Sequence, residues 1–215
     1  MAAGCKLCRV KRSLIVAAGI FFGAAALSAA QGRFVGKVVV EWLDDPFVPK
    51  LQLREDFGFE DQAGKLWLAR QGQVLDGASM PPAFRDTIGM PFIGDYRRAS
   101  VVYDYYCHVM SEPWRDVHRM FYYASLTEGV NEVDAKVMYA ALYAAGLRWE
   151  MPGSSCFRSC HAAAPSLTWK PQVEERDVKP VLEWVRQANP GLEEIDKRVD
   201  GTLKKPGPHV FAQGH

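Results

Sequence analysis

The chain has 215 residues, 48% hydrophobic and 24% charged, with a formal net charge of +1. This is a globular composition, which excludes a disordered or collagen-like chain and suffices for one domain with a real core plus appendages. Lys6, Arg9, Lys11 and Arg12 all lie in the first thirty residues, so the remainder is mildly acidic, and electrostatics give no case for nucleic-acid binding.

Those four bases precede the apolar run Ser13 to Leu27, and Ser28-Ala29-Ala30 follows with small residues. A basic flank, an apolar stretch and a small-residue site read as a signal peptide over residues 1–30, cut after Ala30. The run is about as long as a minimal membrane span, so an uncleaved inner-membrane anchor over residues 13–30 is the alternative. Gly19, Gly23 and the alanines weaken its hydrophobicity and favour cleavage. Either way the chain engages the export machinery and the body is exported, to the periplasm or beyond, where its partner is left open and an envelope component is one candidate. Cys5 and Cys8 have a metal or redox spacing, but inside a targeting segment it carries little weight.

Phe34 to Leu43 is rich in β-prone residues and reads as a strand, broken by Asp44-Asp45-Pro46. Leu51-Gln52-Leu53-Arg54 alternates as a half-buried strand does, with Phe57-Gly58-Phe59 as its continuation. Asp61 to Gly64 turns the chain, and Lys65 to Arg70 returns as a hairpin partner. Gln73-Val74-Leu75 follows a second turn. From Tyr96 the period becomes helical, through Ala99, Val102, Tyr103 and Tyr106, and Pro113 restarts it. A second helix carries Val117, Met120, Phe121 and Ala124 and stops at Gly129. Asn131 is the expected N-cap of a third, with Asp134 three residues on and Gly146 at its end. Strands followed by helices predict an α+β domain over residues 34–149: a small antiparallel sheet, then a three-helix cluster. Residues 150–215 form an irregular and helical extension, with Pro180 in the first turn of a helix reaching Ala188, a further helix from Leu192 to Val199, and a loose tail.

The chemistry concentrates between Asp76 and Phe121. Asp76-Gly77-Ala78-Ser79-Met80-Pro81 is a tight turn, since Gly adopts positive φ without steric cost. Its plain reading is a strand-to-helix connection; its functional reading has Asp76 and Ser79 facing a cleft. Ser79 lacks the flanking glycines of a nucleophile elbow, which argues against a serine hydrolase. Asp104 and His108 are four apart and share a helical face, where a carboxylate can orient an imidazole or bind metal with it. Asp116 and His118 are two apart and do not share one. Asp76, Asp104 and His118, with His108 as a further donor, are chemically sufficient for acid–base work, and Asp104, His108 and His118 are the candidate ligands of a divalent metal. The plain alternative is hydrogen-bonded groups between packed helices.

Asp76-Gly77-Ala78-Ser79-Met80-Pro81, Tyr96 to Cys107 and Trp114-Arg115-Asp116-Val117-His118-Arg119-Met120-Phe121, in this order, resemble a bacterial and phage family of domains of unknown function, family 1353. The resemblance runs from Val39 to Trp149. Family members carry His-Asp where this chain has Tyr103-Asp104, so the resemblance implies that any family activity resting on that histidine is altered here. It carries no reaction with it.

Cys107, Cys156 and Cys160 fall in the exported body, where an oxidising compartment permits one disulfide. A bridge from Cys107 to either of the others would tie the tail to the helical core and close the longer loop; Cys156–Cys160 would close a short one. Cys156-Phe157-Arg158-Ser159-Cys160-His161 has one residue more than the usual haem attachment, so haem is not expected. The sequence thus supports a noncatalytic envelope-binding or structural domain as its first reading. The alternative is a hydrolase-like site, metal-dependent or not, between the Asp76 turn and the helices bearing Asp104 and His118.

Overall fold

The computed structural model describes residues 32–45, 50–77, 79, 92–151, 168–169, 173 and 175–202. The fold is α+β. Six short strands come first: β1 Arg33–Val35, β2 Val40–Leu43, β3 Lys50–Leu53, β4 Phe57–Glu60, β5 Leu66–Ala69 and β6 Val74–Leu75. Helices α1 Arg97–Val109, α2 Trp114–Glu128 and α3 Glu132–Ala145 follow. A strand pair, β7 Arg148–Trp149 with β8 Thr168–Trp169, precedes α4 Glu175–Ala188 and α5 Leu192–Thr202.

The strands make two small antiparallel sheets rather than the single one expected, in the orders β1-β4-β5 and β2-β3-β6. The stretch Phe34 to Leu43 divides because Gly36 takes φ +84° and a Cβ there would fall 2.8 Å from the Asp56 carbonyl oxygen. Only glycine tolerates both the conformation and the approach, so the chain turns and its two halves join different sheets. Leu51 to Phe59 divides likewise, into β3 and β4. The β4–β5 hairpin forms as expected, pairing Phe57 with Ala69 and Phe59 with Trp67. Its turn is held by Asp61, whose Oδ1 accepts from the N–H groups of Ala63 (2.9 Å) and Lys65 (3.0 Å) while Oδ2 accepts from the Trp67 indole (2.9 Å).

Leu53, Phe57, Phe59 and Leu75 from the sheets meet Val102, Tyr103, Phe121 and Leu142 from the helices in one continuous core. Each such aliphatic or phenylalanine side chain, fully removed from water, contributes about 1.5–3 kcal/mol. α1 has no capping side chain of its own at Tyr96. Glu128, at the far end of α2, supplies one: its Oε2 accepts from the N–H groups of Arg98 (2.9 Å) and Ala99 (3.0 Å). A carboxylate there satisfies orphan donors and suits the positive end of the helix dipole. The other boundaries follow the sequence. α2 ends at Gly129 with φ 113°, and Asn131 caps α3 by accepting from the Asp134 N–H at 2.9 Å.

α4 starts five residues before Pro180, so this proline lies inside the helix and not in its first turn. Its ring is on the exposed side, and the hydrogen bond it cannot donate is the one to the Arg176 carbonyl. α4 and α5 are not loosely appended: Val178, Val181, Leu182, Val185, Ile195 and Val199 are buried in the same core. Asp196 of α5 accepts from the Tyr139 hydroxyl (2.6 Å) and from Arg119 (2.7 Å), and Asp200 accepts from the Tyr143 hydroxyl (3.1 Å). Among the described residues no helix is long and apolar enough to cross a membrane; the apolar run of residues 13–27 lies outside them, as do Cys156, Cys160 and His161.

Tyr139 is fully buried, so the substitution Asp196→Ala removes the acceptor of its hydroxyl and leaves Arg119 with only the longer contact to Glu193 among its carboxylates. The expected loss is about 1–3 kcal/mol, read as a lower urea midpoint with an unchanged slope.

Candidate functional site

The site forms where the second sheet hands the chain to the helices. β6 is pinned by the pairing of Leu75 with Leu51, which fixes where the next residues leave the sheet. Gly77 has φ +66°, and the turn it makes points two successive N–H groups at one atom. Oδ2 of Asp104 accepts from Asp76 N–H at 3.1 Å and from Gly77 N–H at 3.2 Å. Successive backbone donors converging on one oxygen form an anion-binding nest, and here the resident anion is a side chain of α1. Oδ1 of the same carboxylate is buried and accepts no hydrogen bond of good geometry. The buried Ser79 hydroxyl is near enough to favour the charged carboxylate.

Asp104 is 2% exposed. Burial raises its pKa above the ordinary carboxylate range; the neighbouring His108, Ser79 and the Gly77 N–H pull it back, and the Asp76 charge adds to the rise.

One turn further along α1, His108 stands over the same face. Its Nδ1 lies 2.8 Å from the Asp104 carbonyl oxygen. A carbonyl only accepts, so Nδ1 carries the hydrogen and Nε2 of the neutral ring keeps its lone pair. Nε2 is 3.8 Å from Asp76 Oδ1, and Nδ1 is 3.8 Å from Asp104 Oδ2. Asp104 is the sealed floor of this cluster; His108 and Asp76 form its rim, with side chains 34% and 27% exposed. Lys50 lies close enough to feel the Asp76 charge but is bonded to Asp45, which is the main reason its pKa is raised.

Asp76, Asp104 and His108 therefore come together, with one donor atom from each within 4.8 Å of the others. His118 does not join them. It is fully buried, its ring edge-on to Trp114 at 5.2 Å and tilted against Tyr103 at 5.7 Å. A Cβ on Gly146 would lie 2.9 Å from its Cε1. Neither ring nitrogen makes a hydrogen bond of good geometry, although the Leu147 backbone lies close enough to favour the charged ring slightly. Burial first, then the nearby Arg148 and Arg115 charges, push its pKa down to about 3. The expected trio of Asp76, Asp104 and His118 is thus corrected: the imidazole beside the carboxylates is that of His108, and His118 is a neutral packing group.

Asp116 is exposed in the first turn of α2, where its charge suits the helix dipole. Tyr103 is fully buried, edge-on to Phe121 at 5.2 Å, and is not one of the three clustered groups. Cys107 is buried, and its prospective disulfide partners are outside the described residues. The Glu128 cap went unanticipated, because it joins positions thirty residues apart that no local pattern connects.

Residues 51–142 match the family model described as "Protein of unknown function (DUF1353)", the family that the motifs of this segment resemble. Two proteins of Sinorhizobium fredii are similar. "Uncharacterized protein y4jT" is 37% identical over 149 residues, 68% of this chain and 44% of the relative. "Uncharacterized protein y4iH" is 38% identical over 106 residues, 48% of this chain and 44% of the relative. The chain thus spans less than half the length of these relatives. No solved structure matches.

A histidine held at a pKa of about 3 when folded and about 6.5 when unfolded binds fewer protons in the native state across that interval. Its contribution to stability is fully present above about pH 6.5 and is lost as pH falls towards 3, at about 1.4 kcal/mol per pH unit. The expected result is a His118 ring signal that does not titrate by NMR from about pH 8 to 5, with unfolding free energy falling on acidification.

Proposed function

With residues 51–142 matching the DUF1353 family model, we propose that this is an exported cell-envelope protein carrying a hydrolase-like site on Asp76, Asp104 and His108. The observation that carries the reading is the His108 ring. Its Nδ1–H is committed to the Asp104 carbonyl, so the basic Nε2 faces Asp76 Oδ1 across 3.8 Å. Two acceptors at that spacing suit a water molecule that donates one hydrogen to each. A water so held is aimed and polarised for attack on an ester, amide or phosphoester, with His108 Nε2 taking its proton. Asp76 orients the water. Asp104, bound to the turn's own N–H groups, positions Asp76 and adds negative charge beneath the ring. Ser79, buried next to Asp104, is a supporting group and not a nucleophile.

Tyr103, at the position where the family resemblance implies a histidine, contributes to the packing beneath α1. The three clustered groups do not use it, so the reading does not depend on that replacement. Export rests on the basic and apolar pattern of residues 1–30, and the expected mature protein begins at Gln31, checked by mass spectrometry of the envelope fraction.

The full chain should be assayed on chromogenic carboxylic esters, phosphodiesters and purified cell-wall polymer. Asp76→Asn and His108→Gln are each expected to lower turnover by about a hundredfold or more, with unfolding curves close to that of the parent. Turnover surviving both substitutions, or an unaltered protein inert toward all three substrate classes, overturns the hydrolytic reading in favour of the noncatalytic envelope-binding one.

A further inference from the structure

We infer that Asp76, Asp104 and His108 form a binding site for one divalent first-row transition ion of the Zn²⁺ class. This deepens the hydrolase-like reading of the same site and rests on it for the ion's role, though not for its binding: with an ion bound, His108 Nε2 would be a ligand, and activating the water would fall to the ion in place of that imidazole. The first support is spacing. Metal–nitrogen and metal–oxygen bonds of about 2.0–2.2 Å place two donors on one ion about 3–4 Å apart. His108 Nε2 and Asp76 Oδ1 are 3.8 Å apart, and one donor atom from each of the three residues lies within 4.8 Å of the others.

The second support is the state of the histidine. Histidines that bind metal usually donate their other ring N–H to a carbonyl or carboxylate, which fixes the tautomer and leaves the ligating nitrogen bare. The Nδ1 contact with the Asp104 carbonyl at 2.8 Å does this here with no ion required.

The third support is Asp104. Its side chain is 3% exposed, and while Oδ2 serves two backbone donors, Oδ1 is a buried carboxylate oxygen accepting no hydrogen bond of good geometry. With only the nearby Ser79 hydroxyl to favour its charge, such an atom suits a cation. Two carboxylates and a neutral imidazole bring two negative charges to a divalent ion. The nitrogen donor selects the zinc-like class over Mg²⁺ and Ca²⁺, which prefer all-oxygen sets. Three protein ligands with a partly exposed rim leave a coordination position open, as catalytic zinc sites do.

The test is calorimetric titration of the chelator-stripped full chain with Zn²⁺, and in parallel with Mg²⁺ and Ca²⁺. The expected result is about one equivalent of Zn²⁺, with Kd raised about tenfold or more by either His108→Gln or Asp76→Asn. The double variant His209→Gln/His215→Gln, at the C-terminal end of the chain, should bind as the parent does. Co²⁺ loading should shift the His108 ring resonances far more than those of His118. An unaltered Kd in His108→Gln, loss of binding only in the His209/His215 variant, or tighter binding of Mg²⁺ or Ca²⁺ than of Zn²⁺ each overturns the inference. Absence of Zn²⁺ binding together with turnover that survives chelation removes the metal and leaves the hydrolase-like reading. Zn²⁺ binding with no turnover leaves the metal site and removes that reading.

Discussion

The carboxylate of Asp104 is where the two halves of this domain are joined. A buried acid is costly unless its oxygens are satisfied, and the donors it finds are the N–H groups of Asp76 and Gly77, twenty-eight and twenty-seven residues earlier. The exchange is mutual. Those N–H groups follow the last strand of a sheet and have left its ladder, so they too need a partner. This contact sets how the turn after β6 sits on the face of α1, and so brings Asp76 to His108.

The surroundings reinforce that join. Tyr106, two residues beyond Asp104, accepts from the Leu68 N–H at 3.0 Å and stacks edge-on to Trp67, so α1 also grips the hairpin of the other sheet. α1 is thus bonded to both sheets from within one turn, which leaves the rim groups as the parts of the site with room to adjust. His118 makes the opposite case. It lies in the same helical cluster and is chemically as capable, but the aromatic packing around it gives it no access to water.

Much of this was legible in the sequence, because the informative patterns were local. The Asp-Gly pair announced its turn, and the four-residue interval from Asp104 to His108 placed both on one face. Gly129, Asn131 and Gly146 marked helix ends that hold. What escaped was long-range. His118 was given to the site because its type suited the chemistry, yet its neighbours argued otherwise: Trp114, Val117 and Phe121 recur around it at helical spacing and mark the apolar face of α2. The division of Phe34 to Leu43 into two strands turned on Gly36, whose requirement comes from a carbonyl at position 56 that no window of adjacent residues contains. The placement of Pro180 inside α4 likewise follows from packing against α3, which outweighs the local preference of proline for a first turn.

The Glu128 carboxylate that closes the start of α1 also imposes a sequence of events on a chain emerging in order. When residues 97 to 109 have emerged where the chain folds, the group that completes their first turn is still some twenty residues behind. The helix bearing Asp104 and His108 must therefore wait, partly frayed, until α2 is made. The centre is then assembled retroactively, by a residue synthesised after every member of it.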